Sequence, residues 1–324
     1  MCEIELHGQS DDALSASELS SLLAPSPHNS CAVAVALDDQ SVVGYSTMWT
    51  PLRDNLDLAE LNLQVQPQSR RQGIGTQLWD WAQQLADEQG RHLRHVYVTA
   101  PIPGLMEPVI TAPTGDVFPA NHPGAQFVTQ RGFTLEQVEI ETMLDLPLDV
   151  TDLHQQALKQ ASGYAIHTWR TPLPDAWVAG FAALRTQVTS DVPSAGLAVE
   201  RQIWDSERLR HSWEQNAIWG RHTLVTAAED LITGELVGFS QVVWQDEKPE
   251  CVQQGYTFVR QDHRGHRLGM LLKTTMINQL AAQCPQIKRV YTDNAGENDH
   301  MRSINRALGF QLHALFGVFQ LRKD

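Results

Sequence analysis

Val65-Gln66-Pro67-Gln68-Ser69-Arg70-Arg71-Gln72-Gly73-Ile74-Gly75-Thr76 returns 194 residues later as Val259-Arg260-Gln261-Asp262-His263-Arg264-Gly265-His266-Arg267-Leu268-Gly269-Met270. Each copy is an apolar strand end, a polar turn carrying arginine, and the start of an apolar helical pattern. A strand that enters a helix through a glycine turn presents free backbone N–H groups and a positive dipole end, which together suit a phosphate. Glycine lets the backbone approach an anion closely, and neighbouring arginines add charge-assisted contacts. The pattern is neither a Walker loop, since no GxxxxGK[ST] exists, nor a dinucleotide fingerprint, since the third glycine and the downstream acid are missing. Gly73 and Gly75 alone would also suit a plain tight turn.

Working outward, the same register holds without a gap. Val43-Gly44-Tyr45 maps onto Val237-Gly238-Phe239, Leu78 onto Leu272, and Val96-Tyr97 onto Val290-Tyr291. Beyond that, Arg131-Gly132-Phe133 matches Leu308-Gly309-Phe310 at an offset of 177, so the first copy carries 17 extra residues between Ala100 and Gln126. The prolines there (101, 103, 108, 113, 119, 123) predict a long loop. A duplicated unit is the natural reading. A linker over Leu146–Gly163 places the boundary near residue 160, giving units 1–160 and 161–324.

The element order repeats as well. Helical patterns are expected over Ala13–Leu23, and over Asp175–Thr189 and Ser206–Trp219. Hairpin strands follow at 32–37 with 41–50 and at 224–228 with 235–244, the second joined through Thr233-Gly234. A third strand ends at Val65 or Val259. Next come a long amphipathic helix stopped by Gly90 or Pro285, a strand (95–99; 289–292), a second helix and a Gly-Phe strand entry. In the first long helix Trp81 reads as core and Trp79 as partly exposed. The expected fold class is mixed α/β, one unit after another, each with a central antiparallel meander.

Arg70-x-x-Gly73-x-Gly75 resembles the [RQ]xxGx[GA] signature of the GNAT superfamily of acyl-CoA-dependent N-acyltransferases, and the second copy is similar except that Arg267 holds the first glycine position. Both halves carry the resemblance, so the chain looks like a tandem GNAT protein. The resemblance implies acetyl-CoA as the acyl donor. Its pyrophosphate would meet Arg70, Arg71, Gln72, Gly73, Ile74, Gly75 and Thr76 in the first copy and Arg264, Gly265, His266, Arg267, Leu268, Gly269 and Met270 in the second. A backbone N–H near Val65 or Val259 would polarise the thioester carbonyl. Asn298-x-x-Met301-x-x-x-Asn305-x-x-Leu308-Gly309-Phe310 is similar to the family's fourth helix, where Asn298 and Asn305 would touch the coenzyme. Asn298 also suits a helix N-cap.

In this family an amine attacks the thioester directly, which calls for a base, an oxyanion donor and an acid. Glu60 on the third strand is the first copy's candidate base. The second copy has Gln254 at the matching position, leaving Glu250, Asp293 or Tyr256 as candidates. The family's usual acid tyrosine is replaced by Val128 and by Asn305. One half is expected to do the chemistry and the other to support it; the uninterrupted segment of the second copy points to the C-terminal half, against the better glycine loop and Glu60 of the first.

Composition bounds the rest. The 324 residues are 42% apolar and 19% charged, which excludes collagen-like, disordered and membrane-embedded classes. A net charge of −14 argues against nucleic acid and suits a cationic acceptor. Four scattered cysteines form no disulfide framework, and the start lacks a secretory signal, so a reducing cytoplasm is expected. The HxxH pairs His92/His95 and His263/His266 lack further ligands at metal spacing, so no metal is expected. The leading expectation is acetyl transfer to a primary amine of a small molecule, by a monomer or homodimer. A non-catalytic acyl-CoA-binding or scaffold protein of the same fold is the alternative.

Overall fold

The computed structural model describes residues 11, 20, 22–24, 26–101 and 108–323. Most of the helix expected over Ala13–Leu23 lies outside them. The first half runs β1 (Asn29–Asp38), β2 (Ser41–Pro51), β3 (Leu58–Val65), α1 (Ile74–Glu88), β4 (Leu93–Pro101), β5 (Val109–Thr111), β6 (Val117–Pro119), α2 (Pro123–Thr129) and β7 (Thr134–Asp145). The second runs α3 (Thr151–Gln160), β8 (Tyr164–Arg170), α4 (Asp175–Asp191), α5 (Ser206–Ile218), β9 (Arg221–Asp230), β10 (Leu236–Gln245), β11 (Lys248–Val259), α6 (Leu268–Gln283), β12 (Arg289–Ala295), α7 (Asp299–Leu308) and β13 (Gln311–Arg322).

Eleven strands join in one sheet of order β1-β2-β3-β4-β13-β7-β12-β11-β10-β9-β8. The final strands are exchanged: β13 pairs with β4, and β7 pairs with β12. β7 and β13 also pair with each other, antiparallel, with Glu139 opposite Phe316. Those two residues are related by the same 177-residue offset that relates the two Gly-Phe entries, so the internal twofold passes through this pair. Each half therefore supplies the other with the strand that closes its sheet.

One face of the sheet packs on α1 and α2 around Trp79, Phe118, Phe133 and Phe319, and on α3 and α6 around Leu271, Met276 and Val290. On the opposite face α4 and α5 cover the second half through Phe181, Phe239 and Phe258.

Three expectations change. Trp79 is the buried tryptophan, 4% exposed and edge-on to Phe127 and Phe133, while Trp81 is half-buried. The phase of α1 turns Leu78, Trp79, Ala82 and Ala86 inward together. The expected linker holds a helix, α3, whose Ala157 packs into the second core. The proline-rich insertion folds in part as the ribbon β5–β6, which buries Phe118. None of the described helices is long and apolar enough to cross a membrane.

Candidate active site

The two repeated loops adopt one geometry. Each begins with a 3-10 turn, Pro67–Ser69 or Gln261–His263, and then takes two left-handed positions. In the first loop these are Arg71 (φ 63°) and Gly73 (φ 85°); in the second they are Gly265 (φ 88°) and Arg267 (φ 56°). Glycine and arginine have changed places, and the path is kept at a cost of roughly 1–2 kcal/mol for each left-handed arginine. Space is not the constraint, since a Cβ on Gly73 or Gly265 would meet nothing within 4 Å. Arg70 Nε donates to Val65 O at 3.0 Å and Arg264 Nε to Val259 O at 3.1 Å, so both arginines brace the strand-to-helix corner.

Past each corner, α1 and α6 begin with N–H groups that no helical carbonyl can accept, at the positive end of the helix dipole. The α1 mouth also gains Arg131 from the end of α2. Its guanidinium lies 3.6 Å from the centre of the Phe127 ring and donates to Thr76 Oγ1 at 3.3 Å. Sequence reading used Arg131 only as an alignment mark. At the α6 mouth Arg267 meets Gln156 at 3.4 Å, Arg264 meets Asp191 at 3.1 Å, and the His266 ring lies 5.5 Å from that of Tyr164. A Cβ on Gly269 would sit 3.1 Å from Ile304, so that glycine permits close packing of α6 on α7, whereas a Cβ on Gly75 would make only ordinary contacts of 3.7–3.9 Å with Val65, Leu63 and Phe127.

Beside each loop two parallel strands part. β3 and β4 pair only from Leu58–Leu93 to Leu61–Val96, and β11 and β12 only from Cys251–Arg289 to Gln253–Tyr291. Val65 and Val259 end the outer strands of these openings. The strands stop pairing while still extended, which leaves edge N–H and C=O groups for an extended ligand arm. The same pair of features, strands that part and a helix mouth beside them, recurs in each half.

The halves differ at the opening. β2 and β3 pair in constant register, whereas the β10–β11 register shifts between Ser240 and Val242. This bulge makes Gln253, rather than Gln254, the counterpart of Glu60: Trp49 faces Glu60, and its equivalent Val243 faces Gln253. Gln254 turns inward to Ser240 and Lys273, while Tyr256 stays 42% exposed on the opposite face.

On that face the residues of both halves converge. Burial pushes the Glu60 carboxyl up to about 7, and no hydrogen bond or ion pair holds it among the described residues. Burial, then the charges of Asp293, Glu297 and Glu60, raise Glu139 to about 7 as well. Tyr97 is raised by burial and then by Glu60, Glu139 and Tyr256, yet 42% of it reaches solvent. Dense surroundings with access to solvent describe a crevice, and Arg185 lies beside it, 5.1 Å from the centre of the Tyr256 ring and 4.5 Å from that of Trp204.

Glu60, Tyr256 and Asp293 are thus brought to one crevice. Glu250 is not: it lies at the far end of β11, paired with Lys288 and with a lowered pKa from that bond. Asn298 caps α7 by accepting from Met301 N at 3.3 Å, and Asn305 is buried against Asn294 at 2.6 Å. Among the described residues no cluster of His, Cys, Asp and Glu is placed to hold a metal.

Family models agree with this geometry twice, as an acetyltransferase (GNAT) domain over residues 29–108 and the acetyltransferase (GNAT) family over 193–310. The chain is a tandem GNAT protein. It is similar to a tandem GNAT protein from the clavulanic acid biosynthesis pathway, at 26% identity and a TM-score of 0.72, covering 94% of this chain and 86% of that one. A GCN5-related N-acetyltransferase from Sphaerobacter thermophilus shares the fold at 14% identity and a TM-score of 0.58, covering 89% and 79%. A glucosamine N-acetyltransferase region of a fungal β-N-acetylglucosaminidase does so at 15% identity and a TM-score of 0.61, covering 97% of this chain and 36% of that one. No curated protein sequence matches the chain at a significant level.

Proposed function

We propose that this tandem GNAT protein moves an acetyl group from acetyl-CoA to a primary amine of a small cationic molecule, with the chemistry in the first half. The chain divides near residue 160 into two units that exchange their last strands, and each unit holds one acyl-CoA. In the first unit the amides of residues 71–76, with Arg71 and Arg131 beside them, hold the pyrophosphate, and the β3–β4 opening takes the pantetheine arm. The thioester then emerges over the crevice beside Glu60.

Glu60 carries the assignment. A general base works best when its pKa sits near the working pH, and burial has put this carboxyl at about 7. Glu60 takes the proton of the incoming ammonium, which frees the amine to attack the thioester carbon. A backbone N–H at the end of β3 polarises the carbonyl. Tyr97, whose hydroxyl keeps its proton, is the crevice's donor toward the departing thiolate, a role left open by Val128 and Asn305. Glu139, Asp293 and Glu297 make the walls acidic, which favours an acceptor bearing positive charge.

Thiol release from acetyl-CoA with a panel of amines tests this reading. Turnover should be confined to cationic amines and should rise through pH 7 with the ionisation of Glu60. Tight coenzyme binding with no turnover on any amine would assign the fold to a binding role instead.

A further inference from the structure

Lys273 lies on α6 at the place that Trp79 holds on α1, and it is only 2% exposed. Its Nζ donates to Gln254 Oε1 at 2.8 Å and lies 5.3 Å from the centre of the Phe310 ring. Gln254 stands where β11 and β12 cease to pair, its backbone oxygen tied to Thr292 Oγ1 at 3.2 Å. Its amide nitrogen is held by Ser240 at 2.9 Å. The amine therefore sits beneath the sheet, bonded to the residue at which β11 and β12 part.

We propose that Lys273 is a self-acylation site, modified by the thioester that the second half holds. The inference rests on reading the second loop and opening as an acyl-CoA site. The uncharged Nζ attacks the thioester carbon; the C–N bond forms, the C–S bond breaks, and coenzyme A leaves as thiolate and takes up the proton that Nζ releases. The products are a secondary amide on Lys273 and the free coenzyme thiol. Burial alone holds the amine at about 7, so an uncharged fraction exists at neutral pH, unlike at a surface lysine. The amide, unlike the amine, cannot carry a buried charge. The second half then holds a built-in acyl group where the first half turns over.

The full chain incubated with acetyl-CoA, followed by intact-mass measurement and peptide mapping, decides the matter. The expected result is one added acetyl group on Lys273, formed at a rate that saturates with acetyl-CoA. Formation should be at least about tenfold faster than on Lys159, Lys248, Lys288 or Lys323, as positioning predicts. The adduct should vanish in Lys273→Met. Calorimetry on the same sample separates the outcomes. Acetyl-CoA that binds both loops without acetylating Lys273 overturns this proposal alone. No binding at the second loop overturns it together with the reading it rests on. Equal modification of the surface lysines in native and urea-treated chain marks solution chemistry and also refutes it. The wild-type map stands without the variant, should Lys273→Met fold poorly.

Discussion

Replacing Glu60 by glutamine should stabilise the protein and disable it at once. The native carboxyl holds its proton to about 7, against 4.5 in an unfolded chain. Between those values the native state binds more protons than the unfolded state, so this group's contribution to stability falls as pH rises through the window. It is flat above it. A shift from 4.5 to about 7 corresponds to roughly 3 kcal/mol at full development. Glutamine has no charge to desolvate, so the Glu60→Gln chain should gain up to about 3 kcal/mol over wild type at about pH 8, and little at about pH 4. Glu139 carries a parallel decline, which the substitution lessens because the Glu60 charge is the last of the causes that raise it. Urea unfolding of both proteins at the two pH values measures the difference. The same variant should lose about 10²- to 10⁴-fold in turnover, the range for a general base, while coenzyme binding stays unchanged. An equal stability difference at both pH values, or undiminished turnover, refutes the placing of Glu60 as a desolvated base.

Arg267→Gly relieves one left-handed arginine and should raise stability by about 1 kcal/mol in thermal unfolding, whereas Gly73→Val should lower it by about as much and weaken acetyl-CoA binding. Ionic strength should slow the reaction with a cationic amine and leave that with a neutral amine nearly unchanged, because the crevice carboxylates attract only the former; steady-state kinetics across a salt series reads this. Residues 1–160 expressed alone should be insoluble or unfolded, since β4 and β7 would each lose the β13 edge; co-expression with 161–324 should restore a soluble complex in gel filtration.

Much of this was legible in the chain because local chemistry fixes it. The ends of α1 and α6 follow from Gly90 and Pro285, and the loops follow from a repeat whose spacing stays at 194 residues from Val43 to Tyr97. Arg267 in a glycine position put the second loop's path in doubt. The structure keeps the path because Gly265 takes the other left-handed position and Arg267 tolerates its own. What escaped depended on partners distant in sequence. The strand exchange joins β4 to β13 across more than two hundred residues, and no periodicity in either strand records it. The bulge in β11 moves the counterpart of Glu60 from Gln254 to Gln253, a one-residue slip that swaps faces and leaves no mark in a gapless alignment. The crevice was hidden for the same reason. Tyr97 and Glu139 are ordinary strand residues until β4 and β7 lie two strands apart, with Glu60 on one side and Tyr256 on the other.

Hydrogen exchange of the amides at residues 71–76 and 265–270, with and without acetyl-CoA, bears most directly on the central claim. Slowed exchange at both helix mouths, reproduced in part by inorganic pyrophosphate alone, is the predicted result. Exchange unaltered at both mouths while coenzyme binds elsewhere would contradict the account.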